Sequence, residues 1–285
     1  MESSSDSEPQ ISLLLATYHN PVGAANHLSE WIRLAAEPES VEGLVAGDDS
    51  DPYLARLDSS PYPTLISPAK AAASSAVRNW NFAASHATGS LLFAIADDLH
   101  ASAGWDEKLV EVSQGLDPRK VSFGIKVADF LGDRSTLMRH PVVSRKFYET
   151  LGLFDPRYDG VSCDLDISRR AFWRAFVIDG TSAVFEHRHP VHDNAVKPSR
   201  SQKLQNRTHA LDMGRSKFRK QWPLLLREPP IYLWPAVPLV SPISRWVRVH
   251  RLRARSLSDG IRILFRLGRR KVCRILQQAR RTIRP

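Results

Sequence analysis

The sequence predicts an α/β fold in which a mostly parallel sheet is flanked by helices. Three observations carry that expectation. Predominantly apolar runs at 11–16, 41–46 and 91–96 have the length and composition of strands buried on both faces. Segments with apolar residues at helical spacing separate them. The second and third runs each open onto an acid pair, Asp48-Asp49 and Asp97-Asp98, and strand ends are where such sheets keep their chemistry.

The elements follow in order. Ile11-Ser12-Leu13-Leu14-Leu15-Ala16 is the first strand, and Thr17 to Pro21 turns the chain. Val22, Ala25, Leu28, Ile32 and Ala35 recur at helical spacing, predicting a helix to about Glu37. The run at 41–46 closes a βαβ unit. Pro61, Pro63 and Pro68 mark a loop holding a short strand at 64–66, and the alanine-rich stretch 69–87 reads as a helix stopped near Gly89. After the strand at 91–96, Gly104-Trp105-Asp106 begins a further helix. Strands are expected at 121–127 and 136–142, a helix from Ser144 to Gly152, a helix over 164–175, and two closing strands at 176–179 and 183–186.

At 285 residues, with 42% hydrophobic and 25% charged, the chain suits one large domain with an appendage. Residues 1–9 are polar and serine-rich, which predicts a disordered leader. The globular domain is expected over 10–226, and 227–285 as a proline-containing linker followed by a basic helical tail. No stretch reaches roughly 18 uninterrupted apolar residues, and the Met-Glu-Ser-Ser start lacks signal-peptide character, so a cytoplasmic location is the expectation. Cys163 and Cys273 lie far apart without paired spacing, so neither a disulfide framework nor a zinc knuckle is predicted.

Charge is distributed unevenly. From Arg227 onward fifteen basic residues face Glu228 and Asp259, and subtracting that +13 from the whole-chain +10 leaves −3 for residues 1–226. A mildly acidic body thus carries a strongly basic tail. Ile261, Leu264, Phe265, Val272, Ile275 and Leu276 recur among the tail arginines at helical spacing. Three readings stand there: an amphipathic helix on an anionic membrane surface, a helix packed on the body, and, least favoured, a nucleic-acid contact, since no recognised module is visible.

Several chemistries are excluded by missing motifs. There is no GxxxxGK[ST] loop, no GxGxxG turn, no GxSxG elbow and no HExxH, which argues against kinases, dehydrogenases, serine hydrolases and zincins.

The order and spacing of what remains resemble the inverting family 2 glycosyltransferases of the GT-A fold, from about Ile11 to His192. The resemblance rests on Leu13 to Pro21, on Asp48-Asp49-Ser50-Asp51, on Arg78 to Gly89, on Ala96-Asp97-Asp98 with Gly104-Trp105-Asp106 downstream, and on Gly152 to Tyr158 followed by Cys163 to Arg170. It implies a GT-A domain that moves a sugar from a nucleotide-sugar donor to a hydroxyl acceptor, such as a glycan or lipid-linked sugar, with inversion. Mn²⁺ or Mg²⁺ is the implied cofactor and cell-surface polysaccharide synthesis the implied setting, while the basic tail is what places the expected work at the inner face of the membrane.

Residue roles follow from the resemblance and from charge. Cleavage at the sugar carbon leaves negative charge on the diphosphate, which a carboxylate-held cation absorbs. Asp98 is the expected metal ligand, with Asp97 contacting ribose or the ion through water; a solvated loop pair is the plain alternative. His187 or His189 would complete the metal site. Asp49 would read the base, and Thr17, Tyr18, Asp51 and Asn81 would line the donor site. Asp48 or Asp51 could instead cap the following turn. Asp164, at a helix start, is the expected general base, while Asp166 would offset the helix dipole. The chain departs from the family pattern at Ala96, where the first acid of DxD would stand, and at Cys163, where Glu is usual. Those departures motivate the alternative of a catalytically silent, GT-A-like binding module.

Overall fold

A computed structural model describes residues 9–54, 62–67, 75–130, 133, 137–188, 208–222 and 234–235. The main sheet has eight strands in the order β10-β8-β6-β7-β4-β1-β2-β3. These are β1 (Ile11–Ala16), β2 (Val41–Asp48), β3 (Thr64–Ser67), β4 (Leu91–Ile95), β6 (Phe123–Ala128), β7 (Val142–Ser144), β8 (Phe176–Val184) and β10 (Trp234–Pro235). All neighbours run parallel except β7, which is antiparallel to both β4 and β6. A two-stranded antiparallel ribbon joins β5 (Leu99–His100) to β9 (Glu186–His187).

Helices cover both faces, because side chains on a strand alternate between them. Leu13, Leu15, Phe93 and Ile95 join one core with Ala24, Leu28 and Trp31 of α1 (Pro21–Leu34) and Leu109 of α3 (Trp105–Ser113). Leu14, Leu92 and Ala94 face the other core. It contains residues of α2 (Ala76–His86), α4 (Arg145–Leu151), α5 (Cys163–Arg174) and α6 (Thr208–Gln221). Trp31 anchors the first core: it stacks on Phe185 at 5.3 Å between ring centroids and meets Phe93 and Trp105 edge-on. The Asp106 carboxylate accepts the backbone N–H groups of Ala36 and Glu37 at 2.7 and 2.9 Å, so the Gly-Trp-Asp segment seals the end of α1.

From β1 the chain builds outward through β2 and β3, then returns to place β4 on the other side of β1. That reversal makes the carboxyl ends of β1, β2 and β4 a topological switch point, where open α/β sheets form their clefts.

The α/β expectation stands, with local differences. The two closing strands are one, β8, which runs through Gly180 with a register shift against Val127/Ala128. The helix expected over 69–87 is seen from Ala76, with 69–74 outside the described residues. The strand expected at 136–142 lies at Val142–Ser144, since Ser144 both ends the strand and caps α4 by accepting the Phe147 N–H at 3.1 Å. The ribbon β5/β9 was not anticipated. Within the stretch read as a linker, Trp234–Pro235 pairs with Ile178–Asp179 at the sheet edge. The rest of the tail, the leader to residue 8 and His189 lie outside the described residues.

Candidate active site at the strand ends

The first loop is built by acids turned inward. After β1, His19 adopts a left-handed backbone with φ 63°, which costs about 1 kcal/mol for a residue with a Cβ. Asp51 holds it: Oδ2 accepts the His19 N–H at 2.6 Å and Oδ1 accepts the Tyr53 N–H at 3.0 Å. Asp48 is fully buried, accepts from the Ser50 N–H and hydroxyl, and pairs with Arg78 at 3.1 Å. Asp48 and Asp51 therefore organise the turn. Asp49 is the exposed member of the group, with its N–H donating to Ser67 O at 3.3 Å.

Thr17 is buried, with its carbonyl accepting from Asn79 at 3.4 Å, and Tyr18 is half-buried with its ring edge against His19. Asn81 sits elsewhere: its amide donates to Phe154 O at 2.8 Å and accepts the Phe154 N–H at 2.9 Å. It clamps the loop before α5.

The second acid pair terminates β4. Asp97 is exposed by surface area yet crowded enough that desolvation raises its carboxyl above the ordinary range; the neighbouring Asp98 raises it further, and His27 opposes both. Asp98 is recessed and lies 3.4 Å from His187 Nε2. The ribbon makes that approach: Leu99 pairs with His187, and the Arg188 N–H donates to Asp98 O at 2.8 Å. Arg188 itself is exposed and pairs with Glu186.

Two residues that sequence reasoning missed complete the cluster. Asp129 follows β6, and His140 precedes β7; both are buried. One ligand atom from each of Asp129, His140 and His187 lies within 4.8 Å of the others, and the two imidazoles meet edge to face at 4.8 Å. Burial pushes the His140 imidazole down to about 4, so it is neutral near pH 7. Asp129 Oδ2 accepts from Arg139 at 2.6 Å. The run opening onto Asp129 repeats the strand-then-acid pattern of β2 and β4, a signal present in the sequence that went unread. His140 carried none, because only the tertiary fold brings it there.

The start of α5 stands against the same group. Ser162, the residue that opens α5, has φ 68°, a second strained backbone position beside the site. Asp164 accepts the Leu165 N–H at 2.8 Å and is raised above the ordinary carboxyl range by burial, with Asp129 also raising it and Arg139 opposing. Ser168 Oγ donates to Asp164 O at 2.6 Å and accepts the Met138 N–H at 2.8 Å, which ties the segment carrying Arg139 and His140 to α5. Asp166 faces away from this chemistry. Its buried carboxylate holds Arg170 at 2.7 Å, Gln221 at 2.8 Å and the Trp222 indole at 2.9 Å, so it locks α6 onto α5. Asp166 also stands in the first turn of α5, where the dipole role was expected. Cys163 is buried, and desolvation drives its thiol upward.

A second group of possible ligands, His27, Glu30 and His100, lies on α1 and β5. There His27 Nε2 already bonds Leu99 O at 2.8 Å.

No protein-family model matches the chain, and no curated protein matches it. Among solved structures it is similar to a mannosyltransferase from Pyrobaculum calidifontis in complex with GDP-Man and Mn²⁺, at 15% identity over 78% of this chain and 63% of that one, TM-score 0.49. It is also similar to S. aureus TarS 1–349 in complex with UDP, at 11% identity over 60% of this chain and 58% of that one, TM-score 0.45. A third is glucosyl-3-phosphoglycerate synthase from Mycobacterium tuberculosis in complex with Mn²⁺, uridine-diphosphate and phosphoglyceric acid, at 14% identity, 73% of this chain, 78% of that one and TM-score 0.47. The chain spans less than two thirds of the length of the first two.

Proposed function

We propose that the chain is a nucleotide-sugar-dependent glycosyltransferase of the GT-A type, akin to family 2, transferring a sugar with inversion to a hydroxyl acceptor. The observation that carries the reading is the approach of His187 to Asp98 at 3.4 Å beside the topological switch point, with Asp164 under the influence of Asp129 in the adjoining group.

In this mechanism the acceptor oxygen attacks the anomeric carbon as the bond from that carbon to the phosphate oxygen breaks. The electron pair of that bond leaves with the diphosphate, and the acceptor proton passes to the Asp164 carboxylate. Asp164 suits the task because burial has raised its proton affinity, which brings a general base closer to its working pH. Asp97 and the exposed Asp49 contact the donor, and the Asp51-held turn at His19 shapes the floor for Thr17 and Tyr18.

The donor set fits a divalent cation, since Asp129 Oδ1 and His140 Nε2 are buried without a hydrogen-bond partner among the described residues. Asp98 and His187, with Asp129 and His140 beside them, would hold the ion, Mn²⁺ or Mg²⁺, with His189 as a further candidate ligand. When bound it offsets the charge gathering on the leaving diphosphate. The acceptor class, a glycan or lipid-linked sugar of cell-surface polysaccharide synthesis, and work at the inner membrane face rest on the resemblance and on the basic tail. Among the described residues no helix is long and apolar enough to cross a membrane.

A second reading, a silent binding module, is favoured by Ala96 and Cys163. A thermal-shift panel of sugar nucleotides with Mn²⁺ tests the first. Stabilisation by one nucleotide class with release of nucleoside diphosphate supports transfer. Stabilisation without release supports the binding module, and no response to any nucleotide overturns both.

A further inference from the structure

Ala96 stands where the resemblance implies the first acid of DxD, yet three other donors gather beside Asp98. Asp129, His140 and His187 come from the ends of β6, β7 and β9, and their ligand atoms lie within 4.8 Å of one another. His187 Nε2 is also 3.4 Å from Asp98 Oδ2, so this group and Asp98 are continuous.

A second observation points to a ligand. Asp129 Oδ1 and His140 Nε2 are buried polar atoms with no hydrogen-bond partner among the described residues. Burying a polar atom unpaired costs about 1–3 kcal/mol, and two residues that each carry such an atom, in a group whose ligand atoms lie within 4.8 Å of one another, form an arrangement that a cation relieves. Arg139 opposes a cation by its charge. It is nonetheless committed to Asp129 Oδ2 at 2.6 Å, leaving Oδ1 as the donor.

We infer that Asp129, His140 and His187 form a transition-metal site of two imidazoles and one carboxylate, adjoining Asp98, that takes Zn²⁺ or Mn²⁺ in preference to Mg²⁺. Nitrogen donors favour such ions, whereas Mg²⁺ demands oxygen. The inference deepens the proposed function, because the ion would lie where the diphosphate is expected, and it rests on that reading only for its use in transfer. Binding stands independently. The set also accounts for Ala96: donors from β6 and β7 replace the missing acid.

The test is calorimetric titration of the EDTA-stripped full chain with ZnCl₂, MnCl₂ and MgCl₂, followed by titration of H140Q, D129N and E30Q. The expected result is one saturable site, tighter for Zn²⁺ and Mn²⁺ than for Mg²⁺. H140Q and D129N each weaken it at least about tenfold, a loss of the size seen when groups supporting a metal are removed. E30Q, in the other candidate group, binds as the parent does. Thermal melts identify any variant that fails to fold, and the other variant then decides. Parent-like binding by a folded H140Q or D129N, tighter Mg²⁺ binding, or loss in E30Q instead would overturn the site. Metal binding without donor turnover would leave the site standing and remove the transferase reading; Mg²⁺-supported turnover unaffected by H140Q would do the reverse.

Discussion

The imidazole of His187 stands 3.4 Å from the carboxylate of Asp98 because a two-residue ribbon pairs Leu99 with His187. Asp98 follows β4 near the middle of the sheet, and His187 follows β8 near its edge. Without the ribbon nothing in either strand would bring them together. The Arg188 N–H to Asp98 O bond at 2.8 Å extends the ribbon onto the acid itself, so the same backbone pairing positions both members.

Asp164→Asn removes the proposed proton acceptor while keeping the Oδ1 that receives the Leu165 N–H at 2.8 Å. Turnover is expected to fall about 10²- to 10⁴-fold with an unchanged melting temperature. The pH profile adds a direction. A base works deprotonated, and the Asp164 carboxyl is raised by burial, so the rate declines as pH falls through a value above the ordinary carboxylate range. Initial rates from pH 4 to 8 check this; an acid limb at or below the usual aspartate value would contradict it.

Asp166→Ala leaves Arg170 buried without its carboxylate and deprives Gln221 and Trp222 of an acceptor. Breaking a buried pair this way costs about 3–5 kcal/mol. Urea unfolding should show that loss. D166N should lose less, because it keeps one oxygen to accept from the Trp222 indole.

Asp51→Ala frees the His19 N–H and the Tyr53 N–H. The strained turn at His19 then loses its restraint, and the expected cost is about 1–3 kcal/mol together with weaker nucleotide binding. H19G, which accepts the left-handed backbone without a Cβ penalty, should partly restore stability in the D51A background. Paired denaturation curves of the single and double variants measure the recovery.

Cys163 is buried with its thiol driven up by desolvation, and the thiolate is the reactive form. Native protein treated with iodoacetamide near pH 8 should remain unlabelled at Cys163 and become labelled only on unfolding. Mass spectrometry of the tryptic peptide reads this out.

Much of the frame was legible because β1, β2 and β4 are buried on both faces, which forces predominantly apolar runs broken only by Ser12 in β1 and by Glu42 and the terminal Asp48 in β2. Their terminal acids were legible because each run gives way to an acid pair, Asp48-Asp49 and Asp97-Asp98, although Asp48 itself is buried. Elements of two residues, such as β5 and β9, are too short to show a period, so the device that unites Asp98 with His187 was hidden. Gly180-Thr181-Ser182 read as a break, whereas β8 continues through it with a register shift. Asp48 and Asp51 looked like donor contacts or turn caps, and only coordinates reveal which backbone N–H groups they hold. Asn81 likewise serves Phe154. His140 could not be found from spacing, since its neighbours come from β6 and β9.

The central claim is that Asp98 and Asp164 belong to one nucleotide-sugar transfer site. Its most direct test is release of nucleoside diphosphate from the donor found in the thermal-shift panel, by the metal-loaded full chain and by D98N and D164N. Release by the parent, with both folded variants reduced at least about a hundredfold, is the predicted result. Equal release by all three proteins, or none by the parent, would contradict it.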